Sequence, residues 1–225
     1  MRRPTIQVAE VVREYGPFPG VDDVHGVTYD GRSIWFGAGE AVLALDPASG
    51  TVQRSIEVSA TAGTAFDGRH LFQLGGDRIQ KIDPETGRVL ATIPVPAGGP
   101  ASGLAWAEGT LWVGQYEERM IHQVDPETGA ILRTIEVNRF VTGVTWVDGD
   151  LWHGTWEGGE SELRRIDPES GEVRETLVLP AGVRVSGLES DGGDRFFCGG
   201  GSSGTIRAVR RPKSPTFQQH RTGED

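Results

Sequence analysis

One short turn, written four times along the chain, constrains the fold more than any other feature. Residues 46–50 read D-P-A-S-G, residues 83–87 and 125–129 read D-P-E-T-G, and residues 167–171 read D-P-E-S-G. Each copy sits between two short apolar runs, as in I-H-Q-V-D-P-E-T-G-A-I-L-R-T-I-E-V over residues 121–137. Proline presets φ for the second position of a turn, and Asp and Ser/Thr oxygens accept from nearby amides. Glycine takes the positive φ at the exit. Each copy therefore predicts the tight loop of a β-hairpin.

A second signature precedes each turn: a glycine, a short apolar run, another turn, then an apolar–aromatic pair. Gly26 leads to Ile34-Trp35, Gly63 to Leu71-Phe72, Gly103 to Leu111-Trp112, and Gly143 to Leu151-Trp152. A fifth copy begins at Gly187 and leads to Phe196-Phe197. The glycine-to-glycine spacing of roughly 37 to 44 residues matches a four-stranded propeller blade. The third unit reads as strands A (residues 102–106), B (110–113), C (120–124) and D (130–137). No stretch carries the 3.6-residue apolar period of a useful helix, so the chain reads as all-β.

The fifth unit has strands A, B and C (residues 205–209) but no D-P-x-T-G turn and no fourth strand. The N-terminus offers one. Thr5-Ile6-Gln7-Val8 resembles the strand-D text Thr134-Ile135-Glu136-Val137, and residues 9–15 continue extended. The prediction is a five-bladed β-propeller in one domain (residues 1–212), its last blade closed by the N-terminal strand, which removes free sheet edges. Residues 213–225 form a polar C-terminal tail.

Composition narrows the partners. The formal charge of −10 argues against a nucleic-acid backbone or an anionic membrane surface. The acidic residues are spread through turns as a solvated surface, leaving the acidic rim as a candidate face for a protein partner. The single cysteine, Cys198, excludes an internal disulfide. The start has no apolar signal core, and no run approaches the ~18 apolar residues of a membrane span. The expectation is a cytoplasmic monomer.

Repeats allow one position to be compared across five blades, and chemistry should lie in the exceptions. Directly before the strand-A glycine stand His25, Ala62, Ser102, Thr142 and Ser186. Two residues after it stand Thr28, Ala65, Ala105, Thr145 and Glu189. After the strand-B aromatic stand Phe36, Gln73, Val113, His153 and Cys198. His25, His153 and Glu189 break step, and an ionisable group among small neighbours suits acid–base work. They are the candidate catalytic residues. The loops entering strand A and joining B to C should share one channel mouth. They add Asp23, Tyr116, Glu117, Trp156 and Arg184 as ligand-binding candidates, with Cys198 as a further one. Trp156 is the one tryptophan outside the repeat positions and suits a ligand platform. No H-x-x-x-H or C-x-x-C spacing supports a metal site, and no cofactor is expected.

The text Val11-Val12-Arg13-Glu14-Tyr15, a proline-containing loop and His25-Gly26-Val27 resemble the start of the plant and bacterial glutamine cyclotransferases. Blade order and D-P-E-T-G turns extend the similarity to about residue 209. The resemblance implies a five-bladed propeller and cyclisation of N-terminal glutamine to pyroglutamate. Several positions depart from it. Tyr116 stands where that family carries tryptophan, and Val24-His25-Gly26 where it has Thr-Gln-Gly. Trp35-Phe36-Gly37-Ala38-Gly39 replaces Tyr-Glu-Ser-Thr-Gly with its essential glutamate, and Leu74-Gly75-Gly76 replaces Ser-Asp-Gly. The acidic catalytic motifs are thus not retained. The I-x-x-I-D-P-x-T-G repeats are also similar to those of streptogramin B lyase-like propellers. The expected function is a small-molecule or peptide-end binding propeller with its site at the channel mouth, extending to a cofactor-independent lyase or cyclotransferase-like activity. The alternatives are a non-catalytic interaction scaffold and a metal-dependent lactonase or lyase.

Overall fold

The computed structural model describes residues 4–212 and contains 21 strands and no helix among them. In chain order, β1 (Thr5–Val8) and β2 (Val11–Tyr15) precede the first blade: β3 (Val27–Tyr29), β4 (Ile34–Gly37), β5 (Gly39–Leu45) and β6 (Val52–Ala60). The second blade is β7 (Thr64–Phe66), β8 (Leu71–Gly75), β9 (Arg78–Ile82) and β10 (Val89–Pro94). The third is β11 (Ala101–Ala107), β12 (Thr110–Gln115), β13 (Met120–Val124) and β14 (Ile131–Glu136). The fourth holds β15 (Gly143–Val147), β16 (Asp150–Gly154), β17 (Glu162–Ile166) and β18 (Val173–Val178). The fifth begins with β19 (Gly187–Ser190), β20 (Arg195–Gly199) and β21 (Ile206–Arg210). The protein is a five-bladed β-propeller.

The N-terminus closes the ring, though not with the strand that the sequence text suggested. β2 pairs antiparallel with β21 and completes the fifth blade, from Tyr15 opposite Ile206 to Val11 opposite Val209. β1, whose text copies strand D, instead pairs parallel with β18 as a fifth strand on the fourth blade. Burial explains the exchange. Tyr15 is buried in the closing strand, whereas every residue of β1 is exposed, so β1 has no apolar face to place inside a blade. The predicted tail, residues 213–225, lies outside the described residues.

The four recurring turns are built alike. The Asp46, Asp83, Asp125 and Asp167 carboxylates each accept the amides two and three residues on. The closing glycine sits at φ near +70 to +77° and donates its amide to the Asp carbonyl. These turns also hold the ring together. Arg13 on β2 donates to the carbonyls of Pro47 and Ala48, Arg54 on β6 to Glu85 and Arg133 on β14 to Pro168. An arginine on one blade's outer strand thus grips the turn of the next.

Adjacent blades pack through the aromatic repeat position. Phe72 meets Trp106 at 5.4 Å, Trp112 meets Trp146 at 5.6 Å, and Trp152 meets Phe196 at 4.9 Å. Such pairs add ~0.5–1.5 kcal/mol each beyond the area they bury. On the axis the five strand-A glycines form a ring. A Cβ on Gly26, Gly63 or Gly143 would lie 2.4 to 2.5 Å from backbone atoms of the next blade, and one on Gly187 would meet the His25 carbonyl at 2.6 Å. The invariant glycine of the repeat is therefore a requirement of close approach: any side chain would push the inner strands apart.

Candidate functional site

Immediately above the glycine ring, where the D–A and B–C loops converge, lies a cavity of about 300 Å³. All five residues preceding the ring glycines line it: His25, Ala62, Ser102, Thr142 and Ser186. Two of these side chains are already committed. Ser102 Oγ donates to the Val141 carbonyl at 2.6 Å and Ser186 Oγ to the Val24 carbonyl at 2.5 Å, each tying one blade to the next. The His25 ring forms no hydrogen bond among the described residues. Partial burial lowers its pKa, with the nearby Asp23 carboxylate pulling the other way. Near neutral pH it is therefore mainly the free imidazole, able to accept or relay a proton.

The cavity wall is aromatic and cationic on one side. The Arg184 guanidinium lies over the Trp156 ring, 5.0 Å from its centroid. It forms no ion pair among the described residues, and its nearest polar contact is a long 3.4 Å bond to Ser202 Oγ. Tyr116 donates to the Trp156 carbonyl at 2.9 Å and packs on Phe140 at 4.7 Å. Glu157 accepts from both Arg119 (2.9 Å) and Arg139 (2.6 Å), and the Arg139 bond leads the causes that hold its carboxyl below the usual range. The B–C loops of the third and fourth blades are thereby locked together, which fixes Trp156 and leaves Arg184 with donors to spare.

Asp23, His25, Tyr116, Trp156 and Arg184 thus come together at the mouth, while Glu117 is exposed beside it and outside the lining. The other candidates are placed elsewhere. Glu189 lies three positions past the lining row, about 10 Å along the strand, on the far side of the glycine ring. Its carboxylate accepts from Thr145 Oγ1 (2.6 Å), Thr28 Oγ1 (2.7 Å) and the Ser190 amide (2.9 Å). It keeps some accessible surface but is densely enclosed by protein, and this desolvation pushes its pKa up to about 7 against the pull of those bonds. His153 is wholly buried inside the fourth blade, with no hydrogen-bond partner for either ring nitrogen. Burial and nearby Arg164 lower its pKa to about 3. Cys198 is buried within an apolar cluster, which pushes its thiol up to about 12 and makes it a poor nucleophile. The position after the strand-B aromatic faces the packing between blades, so an outlier there does not reach the channel. Among the described residues no three His, Cys, Asp or Glu side chains gather closely enough to hold a metal ion.

Sequence comparison across blades missed Arg119, Arg139 and Phe140, because loops vary in length and offer no aligned position. Their only signal was proximity in sequence to Tyr116 and to the fourth strand A.

Fold and mouth define a five-bladed propeller with a polar, arginine-bearing channel end. Residues 75–214, more than half of the chain, match the family model described as outer membrane protein assembly factor BamB, and the chain belongs to that family. Among solved structures, Myxococcus xanthus glutaminyl cyclase is similar with a TM-score of 0.77 and 18% identity, over 92% of this chain and 98% of that one. The WD40 β-propeller domain of Doa1 gives 0.54 and 17%, over 83% of this chain and 63% of that one. Kuenenia stuttgartiensis hydrazine synthase gives 0.52 and 19%, over 79% and 55%. At these identities the likeness concerns the fold. No curated protein matches the sequence.

Proposed function

We propose that the protein binds a small ligand or a peptide end at the channel mouth, through an anionic group set against Arg184 and a flat or apolar portion laid on Trp156. The observation that carries this reading is a guanidinium stacked on tryptophan at the edge of a 300 Å³ cavity, with no carboxylate partner of its own among the described residues. A planar, weakly hydrated cation with unspent donors suits a carboxylate or similar oxyanion. The cavity is at the lower end of the range for small-molecule sites, which favours a compact ligand. Calorimetric titration with a panel of small carboxylates, from N-acetylglycine to pyroglutamyl-peptides, tests it. Saturable binding weakened at least about tenfold by Arg184→Ala supports the reading. Equal binding by the variant removes Arg184 from the site.

A second reading has its own support. His25 is a neutral imidazole without a partner, beside Asp23 and at the cavity floor, which fits a general base in a cofactor-independent cyclotransferase-like or lyase reaction. The similar fold of Myxococcus xanthus glutaminyl cyclase, an enzyme named for such a cyclisation, supports this reading. This reading leaves Glu189 out, since it lies beyond the glycine ring from the mouth. Turnover of glutaminyl-peptides that disappears in His25→Ala would establish it; turnover unchanged by that substitution would rule it out. The family description, outer membrane protein assembly factor, keeps a protein-scaffold reading open for the same mouth and the acidic rim. Capture of a folded partner, with no small carboxylate bound, would favour that reading over the first.

A further inference from the structure

On the opposite end of the propeller, a groove of about 650 Å³ runs between the first and second blades, roughly twice the volume of the mouth. It is built from turns of both blades. The two A–B turns there are the only ones reading D-G-R, which places Arg32 and Arg69 at matching positions, and Arg88 follows the second D-P-E-T-G turn. In the corresponding turns of the third and fourth blades the glycine is followed by Thr110 and Asp150 instead.

The acids beside these arginines stay charged, but the aspartates are held in place by hydrogen bonds within their own turns and do not reach the guanidiniums as ion pairs. Asp30 accepts from the amides of Arg32 (2.8 Å) and Ser33 (2.6 Å) and from Trp35 Nε1 (2.7 Å). Asp83 accepts from the amides of Glu85 (2.8 Å) and Thr86 (3.3 Å). Glu85 points away, with 89% of its side chain exposed and only a loose 3.9 Å contact to Arg54. Arg32, Arg69 and Arg88 form no ion pair among the described residues, in a chain whose arginines are elsewhere largely paired. Trp35, Phe66 and Leu90 supply apolar wall, and Leu90 is 40% exposed.

We infer that this groove is a second binding site, which takes a short acidic peptide segment carrying an apolar residue. Three unspent guanidiniums around an aromatic wall match carboxylates alternating with an apolar anchor. The overall charge of −10 selects against long polyanions, whose many phosphates would be repelled by the rest of the surface, while a segment of a few charges engages the groove within a Debye length. The site is separate from the mouth and does not depend on what binds there.

The test is fluorescence anisotropy of a fluorescein-labelled Glu-Asp-Leu-Glu-Asp-Phe-Glu-Asp peptide titrated with the full chain at low salt. The expected result is saturable binding, weakened at least about tenfold by the triple variant Arg32→Ala, Arg69→Ala, Arg88→Ala and by added salt. Arg184→Ala at the mouth should leave it unchanged. The three arginine side chains make no hydrogen bond among the described residues, and circular dichroism of the variant checks that it folds. Absence of saturable binding, wild-type affinity in the triple variant, or loss on Arg184→Ala would each overturn the inference. So would a single-stranded oligonucleotide that binds the groove more tightly than the peptide.

Discussion

The two sides of the glycine ring hold residues of similar chemistry in opposite condition. Above it, His25 and Arg184 have few or no protein partners and face a cavity. Below it, Glu189 is held by two hydroxyls and an amide from its own and both flanking blades. His25 and Glu189 both break the repeat, so rarity of residue type does not separate them. What separates them is whether their hydrogen-bonding capacity has already been used by the fold. An exceptional residue is a candidate for ligand chemistry only where its donors or acceptors remain free; elsewhere it is part of the packing.

The ring itself should give the largest effect when changed. Gly143→Ala puts a Cβ 2.5 Å from the Leu188 amide nitrogen and 2.7 Å from the Gly187 carbonyl carbon, all backbone with no flexible atom to give way. Overpacking of backbone against backbone should cost upwards of about 3 kcal/mol, visible as loss of the cooperative thermal transition or a large fall in Tm. A variant that melts like the wild type would mean that the inner strands have slack that the close approach denies, and that the two sides of the ring are not separate.

Below the ring, Glu189 should make stability depend on pH in a definite direction. Its folded pKa of about 7 lies above the ordinary value, so the folded state holds the proton more tightly than the unfolded chain. The contribution is fully present below about pH 4.5 and is lost as pH rises through about 7. Glu189→Gln should flatten that slope and leave the protein more stable than wild type at pH 8, by about 1–3 kcal/mol. Urea titrations at pH 5 and pH 8 measure it. An unchanged slope would show that the threonine hydroxyls solvate the carboxylate fully.

His153 gives a smaller effect of opposite sign. Its folded pKa of about 3 is depressed, so its contribution is intact above about pH 6.5 and is lost as pH falls towards 3. Both ring nitrogens are unpartnered, so His153→Leu should cost little or stabilise by about 1 kcal/mol at neutral pH, and should reduce acid sensitivity. Ligand binding at the mouth should not change. If it did, the blade interior and the mouth would be coupled, and the comparison across the ring would need redrawing.

The fold was legible because its devices recur. The D-P-x-T-G turn and the pre-strand glycine appear in register, and local turn chemistry dictates both, so the copies delimit the blades. The closing strand was misassigned by six to seven residues, because the Thr5–Val8 text imitates strand D while the burial of Tyr15 decides which segment enters the blade. At the site, position along strand A was readable: the pre-glycine row does line one mouth, as the propeller geometry requires. The position after the strand-B aromatic was not. His153 and Cys198 alternate onto the face that packs between blades, and the direction of that alternation depends on the blade's placement in the ring. The loop residues that lock Trp156 were not legible either, since Arg119, Arg139 and Glu157 meet only once the third blade's B–C loop and the connection into the fourth strand A lie beside the fourth blade's B–C loop.

The central claim is that binding takes place above the glycine ring, at Trp156 and Arg184. A titration of the uniformly ¹⁵N-labelled chain with small carboxylates, following tryptophan indole and arginine Nε–H resonances, tests it directly once Trp156→Phe and Arg184→Lys have assigned the two signals. The expected result is a saturable shift of both together, with the Trp35 indole at the far end unmoved. Shifts at Trp35 with Trp156 and Arg184 silent would contradict the claim and move the site to the other face of the propeller.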